Sequence, residues 1–120
     1  MRVLLIEDNP GFRFLFREVL ETKGHEVLEA EDGVQGLALA KTRMPDIILL
    51  DLMIPELNGF QVLEKIRAND ITRRIRVVIL SVLSDPRDIK KCSDLGADDY
   101  IVKGFESPEN IIKRSCELIY

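Results

Sequence analysis

The chain is short of cysteine and histidine and carries no excess of positive charge, and each shortage removes a class of function. Its two cysteines, Cys92 and Cys116, lie far from a CxxC spacing and neither has a histidine nearby in the sequence, so neither a zinc site nor a disulfide framework is indicated. They read as small core residues of a protein from a reducing compartment. The lone histidine, His25, reads as a solvated residue at a strand start, because a metal-binding histidine normally comes with partners. A formal net charge of −4 and a pI near 5.1 argue against a domain that grips nucleic acid or anionic lipid by bulk electrostatics. No apolar run is long enough for a membrane span, and the amino terminus turns acidic at Glu7-Asp8 after a short apolar run, unlike a signal peptide. There is no internal repeat, low-complexity tract or linker, so one cytoplasmic domain over residues 1–120 is expected.

With 46% hydrophobic and 32% charged residues, 120 residues suffice for one real core. The centre of the pattern is Asp46-Ile47-Ile48-Leu49-Leu50-Asp51, an apolar run that reads as a strand covered on both faces and ends in a carboxylate. Pro55 and Gly59 break the loop that follows, which puts Asp51 at the carboxyl end of its strand, the edge where open α/β sheets bind ligands. Val3-Leu4-Leu5-Ile6 ends the same way in Glu7-Asp8. Edge-strand character is read over 25–30, another apolar strand over 75–80 running into Ser81, and a short last strand over 98–102 followed by Lys103.

Helices fill the intervals. Asn9-Pro10, Asp32, Asp85-Pro86 and Ser107-Pro108 are start signals. The predicted buried stripes are Phe12, Leu15, Phe16, Val19 and Leu20; Val34, Leu37, Ala38 and Ala40; Phe60, Val62, Leu63 and Ile66; Ile89, Cys92 and Leu95; and Ile111, Ile112, Cys116 and Ile119. Gly33 and Gly36 weaken the start of the second helix, and that helix stops before Met44-Pro45. Arg87, Lys90, Lys91, Lys113 and Arg114 are expected to face outward. Five strands alternating with five helices predict a parallel sheet wrapped on both faces, with right-handed crossovers.

Such a sheet gathers Glu7, Asp8, Asp51, Ser81 and Lys103 at one edge. At ~4 Å each pair of like charges costs on the order of 4 kcal/mol at an effective dielectric near 20, so three carboxylates call for a cation. A hard divalent ion such as magnesium suits them: Asp8 and Asp51 as direct ligands, Glu7 through water, and the backbone carbonyl of Met53 completing the set. A free oxygen of Asp51 can then attack phosphorus while Lys103 holds an equatorial oxygen, giving an acyl phosphate. Ser81 can donate to the new phosphoryl group, and its movement would vacate space near Tyr100.

The segments VLLIEDNP, DLMIPELNGF and LGADDYIVKGF resemble the signatures of response-regulator receiver domains of the chemotaxis-regulator type, and the resemblance covers essentially the whole chain. It implies a flavodoxin-like doubly wound fold with strand order 2-1-3-4-5. Glu7-Asp8 matches the family's acidic pair, Asp51 its phosphoacceptor, Ser81 its switch hydroxyl, Tyr100 its switch aromatic and Lys103 its lysine. The resemblance further implies magnesium-dependent phosphorylation by a histidine kinase, a phosphotransfer protein or a small donor such as acetyl phosphate. Output would pass through the fourth helix, fifth strand and fifth helix to a downstream domain or protein, or into a phosphorylation-dependent homodimer. Such a domain is a signalling phosphoacceptor and not a turnover enzyme.

Two positions depart from the family pattern. Gly104 stands where a proline with a cis bond is usual; a non-proline cis bond costs about 2.5 to 4 kcal/mol, which leaves a trans bond or a mobile loop and puts the aim of Lys103 in question. Val82 stands where a small residue is common, and its β-branched side chain could narrow access to Asp51 and crowd Tyr100. A phosphohydrolase of the haloacid-dehalogenase class would need a second carboxylate where Met53 stands. A receiver-like module that is never phosphorylated is the other alternative. Nucleotide binding ranks below both, because Glu7-Asp8-Asn9-Pro10-Gly11 is neither GxGxxG nor a P-loop. The apolar Met53 and Leu83 cannot steer an attacking water, which predicts slow loss of the phosphoryl group. Phosphorylated Asp51 should therefore decay faster in the double variant Met53→Asn with Leu83→Glu, measured as loss of phosphoprotein with time; equal decay in the two proteins would contradict this.

Overall fold

Side chains of a strand alternate between the two faces of its sheet, so an all-apolar strand needs helices on both sides. The computed structural model, which describes residues 1–119, has that arrangement; Tyr120, the end of the span expected to form one domain, lies outside the described residues. The chain order is β1 (Arg2–Ile6), α1 (Pro10–Thr22), β2 (Glu26–Ala30), α2 (Gly33–Arg43), β3 (Ile47–Leu50), α3 (Gly59–Ala68), β4 (Arg76–Ser81), α4 (Pro86–Asp94), β5 (Asp99–Val102) and α5 (Pro108–Cys116). All strand pairs are parallel, in the order β2-β1-β3-β4-β5, the doubly wound flavodoxin-like sheet expected from the sequence.

The two faces form two cores. Leu4, Ile6, Ile48, Leu50, Val77 and Ile79 pack with α2, α3 and Cys92 of α4. Val3, Leu5, Ile47, Leu49, Val78 and Ile101 pack with Phe16 and Leu20 of α1 and with Ile111 and Ile112 of α5. Each such side chain contributes about 1.5–3 kcal/mol by leaving water, so the sheet is the rigid platform for whatever its edge carries. The predicted start signals act as caps: Asn9, Asp32, Asp85 and Ser107 each accept a backbone N–H of the first turn. Asn58 adds a reciprocal capping box with Gln61.

The structure corrects the sequence reading in four places. In α2 the buried residues are Gly33, Gly36, Leu37 and Ala40, while Val34 and Ala38 are exposed. A Cβ on Gly36 would lie 2.5 Å from Ile6 Cδ1, so the missing side chain lets the helix close on the sheet, and the glycines form its inner face. Leu15 is exposed, because α1 buries a narrower stripe against α5 and β1. Arg114 does not face freely outward: its guanidinium bonds Asp99 at 2.8 Å twice and Glu106 at 2.8 Å. His25 is half-buried rather than solvated, with Nδ1 3.2 Å from the terminal amine and Nε2 3.8 Å from Cys116 Sγ; burial, then the neighbouring amine, lowers its pKa.

Gly59 couples the fold to the acidic edge. Its N–H bonds Leu52 O at 3.0 Å, and a Cβ there would lie 2.5 Å from Asp51 O and 2.6 Å from Leu52 Cα, backbone atoms that cannot rotate away. Gly59→Ala should destabilise the domain by about 1–3 kcal/mol, as overpacking does, measured by urea unfolding; an unchanged midpoint would contradict the close packing of α3 on the Asp51 loop.

Candidate functional site

Register alone brings the candidate residues together. Ile6 pairs with Leu50 and Leu50 with Ile79, so the residues that follow these strands emerge side by side. The Asp51 N–H bonds Ile6 O at 3.0 Å, and the Lys103 N–H bonds Ser81 O at 2.8 Å, which fixes both backbones to the neighbouring strand ends. Glu7 and Asp51 are 2% and 7% exposed, whereas Asp8 is open to solvent. Carboxylate oxygens of Glu7, Asp8 and Asp51 lie within 4.8 Å of one another.

Lys103 crosses from β5 to this cluster. Its ammonium donates to Glu7 Oε2 at 2.7 Å and to Asp51 Oδ2 at 2.9 Å, and lies over the ring of Phe12. The other Asp51 oxygen, Oδ1, accepts the Met53 N–H at 3.2 Å, and Glu7 Oε1 accepts the Asn9 N–H at 3.1 Å. Among the described residues no peptide bond is cis, and Gly104 takes φ +92°; Lys103 reaches Asp51 with a trans bond before Gly104. Val82 is exposed.

Ser81 is fully buried, and its Oγ accepts the Leu83 N–H at 3.2 Å. The Tyr100 hydroxyl donates to Leu83 O at 2.6 Å. The two candidate switch residues are thus joined through the backbone of one residue, a link with no signature in side-chain pattern. Burial chiefly raises the Tyr100 pKa, so the phenol remains a donor. Sequence reasoning also missed Arg13, whose Nη1 donates to the carbonyls of Glu7 and Asp8 at 2.9 and 3.1 Å and so ties down the acidic loop from α1. An arginine one turn inside a helix reads as solvated, and only the loop geometry shows otherwise.

Three carboxylates face one ammonium, and the balance shows in Glu7. Burial is the main cause that lifts its pKa to about 7; the Lys103 hydrogen bond lowers it and Asp51 raises it again. Burial pulls the Lys103 pKa down, but hydrogen bonds to Glu7 and Asp51 more than offset this and hold it above the usual value. A donor set of three carboxylates whose oxygens converge within 4.8 Å fits a hard divalent cation. Because the folded-state pKa of Glu7 lies above its unfolded value of 4.5, the stability it contributes is complete below pH 4.5 and is lost as pH rises through about 7. Without divalent cation the Glu7 contribution should fall by about 1.4 kcal/mol between pH 6 and pH 8, measured by denaturant unfolding as the difference in slope between wild type and Glu7→Gln.

Known proteins place this arrangement. The chain is 39% identical over 112 residues to the DNA-binding dual master transcriptional regulator RpaA of Synechocystis sp., covering 93% of this chain and 46% of that protein, so it spans about half the length of that relative. It is 35% identical over 112 residues to Protein PilH of Pseudomonas aeruginosa, covering 93% of this chain and 92% of PilH. Among solved structures, the receiver domain of a sensor histidine kinase from Pseudomonas aeruginosa PAO1, with magnesium coordinated in its active site cleft, superposes with a TM-score of 0.88 at 29% identity, covering 98% of this chain and 96% of the other. The sequence model of the response regulator receiver domain matches residues 3–115, and this chain belongs to that family, the receiver domains of two-component signalling.

Proposed function

We propose that Asp51 is the phosphoacceptor of this receiver domain and that Ser81 and Tyr100 carry its state to the surface of α4, β5 and α5. The observation that carries the reading is the Asp51 carboxylate, buried at a strand end beside two further acids, with Lys103 on Oδ2 and the Met53 N–H on Oδ1. An oxygen of Asp51 donates its electron pair to phosphorus as the P–N bond of a phosphohistidine, or the P–O bond of acetyl phosphate, breaks and its pair leaves with the imidazole or acetate. Lys103 moves toward the phosphoryl oxygens and stabilises the charge developing there. Asp8 and Asp51 would hold magnesium directly, with Glu7 through water and the Met53 carbonyl as a further oxygen. The ion would supply neutralising charge at the phosphoryl group.

The switch follows from the Leu83 bridge. When Ser81 Oγ turns to donate to the phosphoryl group, it gives up the Leu83 N–H. The segment whose carbonyl holds the Tyr100 hydroxyl is then released, so a change at Asp51 reaches the α4–β5 surface by one exchanged hydrogen bond. The domain modifies only itself and turns over no other substrate. Its partners are a histidine kinase or phosphotransfer protein on the input side and an output domain or protein on the other, or a second phosphorylated copy. It makes no direct contact with nucleic acid or membrane; among the described residues no helix is long and apolar enough to cross a membrane. The setting is cytoplasmic, where kinase and metal are both available.

Acetyl phosphate with magnesium should add the mass of one phosphoryl group to the wild-type chain, labile to hydroxylamine, and add none to Asp51→Asn. An unmodified wild type, or a variant that keeps the label, would overturn the assignment.

A further inference from the structure

The loop that follows Lys103 is exposed. Gly104 stands at φ +92°, a Cβ built there would meet nothing within 4 Å, and Phe105 is 82% exposed. The backbone of Lys103 is anchored to Ser81, but four rotatable bonds separate that anchor from the ammonium. The two carboxylates that hold it are the groups that would change charge and partners in the proposed chemistry. A fixed contact that survives those changes must come from elsewhere.

Phe12 supplies one. Its ring centroid is 4.1 Å from Lys103 Nζ, well inside the range of a cation–π contact. The ring is itself seated: it stacks on buried Phe16 with centroids 4.7 Å apart and planes 20° from parallel. Its backbone N–H is held by Asn9 Oδ1 at 2.9 Å, two residues from Glu7. Ring and acidic pair are therefore linked through Asn9 at the start of α1. The ring also walls a groove of about 190 Å³ between α1 and the Gly104 loop, with Phe16, Gly104 and Ile111.

We infer that Phe12 is a positioning residue for Lys103, its ring face aiming the ammonium at Asp51. The inference rests on the phosphoacceptor reading and adds to it. An aromatic face attracts the cation without a formal charge, so it neither neutralises Lys103 nor competes for its N–H groups. The ammonium can release Glu7 and turn to a phosphoryl oxygen while keeping the same ring beneath it.

The test replaces Phe12 of the full 120-residue chain with phenylalanines bearing one, two and three ring fluorines, which drain the negative face with little change of shape. The dissociation constant for beryllium fluoride in the presence of magnesium should rise stepwise, by on the order of tenfold in total. In the metal-free protein, ring current should shift the Lys103 ε-methylene protons upfield; Phe12→Tyr should keep that shift and Phe12→Leu should lose it. A dissociation constant independent of fluorine count, or a methylene shift unchanged in Phe12→Leu, would overturn the inference while leaving the phosphoacceptor reading intact. Wild type that binds no beryllium fluoride, or Asp51→Asn that binds it equally, would overturn both.

Discussion

Repulsion among Glu7, Asp8 and Asp51, held against a single ammonium, is the constraint around which the molecule is built. Flexible surface carboxylates would separate and stay solvated. Here they cannot, because β1 and β3 are adjacent strands whose apolar residues are sealed on both faces by helices. Burial of the two cores therefore does electrostatic work: it keeps charges together that would otherwise drift apart, and Lys103 relieves only part of the strain. Burial, with a smaller push from the Asp51 charge, lifts the Glu7 pKa to about 7.

The contacts that surround the carboxylates are local and come from the adjoining loops and helix starts. Arg13 holds the acidic loop by its carbonyls, Asn9 and Met53 cap the carboxylates with N–H groups, and Gly59 lets α3 close on the Asp51 backbone. Each raises the cost of rearranging the carboxylates, so in the proposed switch a newly bound charge is answered by Lys103 and Ser81 instead. The Leu83 backbone, shared by Ser81 and Tyr100, would then give a local exchange of hydrogen bonds a route outward. Two discrete arrangements of one peptide are enough for such coupling.

Much of this is legible in the amino-acid order because the strongest signals are of one kind: apolar runs that stop at a polar residue. Those runs place Asp51, Ser81 and Lys103 at one edge, and Pro and Asx start signals locate the helices. What was not legible involves groups that carry no hydrophobic or charge signature. Gly33 and Gly36 are a helix's inner face, yet hydrophobicity patterns cannot count a residue without a side chain as core. Val34 and Leu15 look buried by period alone, but the width of the covered stripe is set by the neighbouring helix. Phe12 fits the apolar stripe of α1 as well as any core residue, and only the third dimension puts it under Lys103. Arg114 satisfied the pattern of an outward charge while pairing with Asp99 and Glu106.

The central claim is that Lys103 and a divalent cation share the carboxylates so that Asp51 can take a phosphoryl group. A crystal structure with magnesium and beryllium fluoride addresses it most directly. The account predicts beryllium bonded to an Asp51 oxygen, Lys103 turned from Glu7 to a fluoride, and Ser81 Oγ released from the Leu83 N–H. An Asp51 carboxylate left bare, with Lys103 still bridging it to Glu7, would contradict the account.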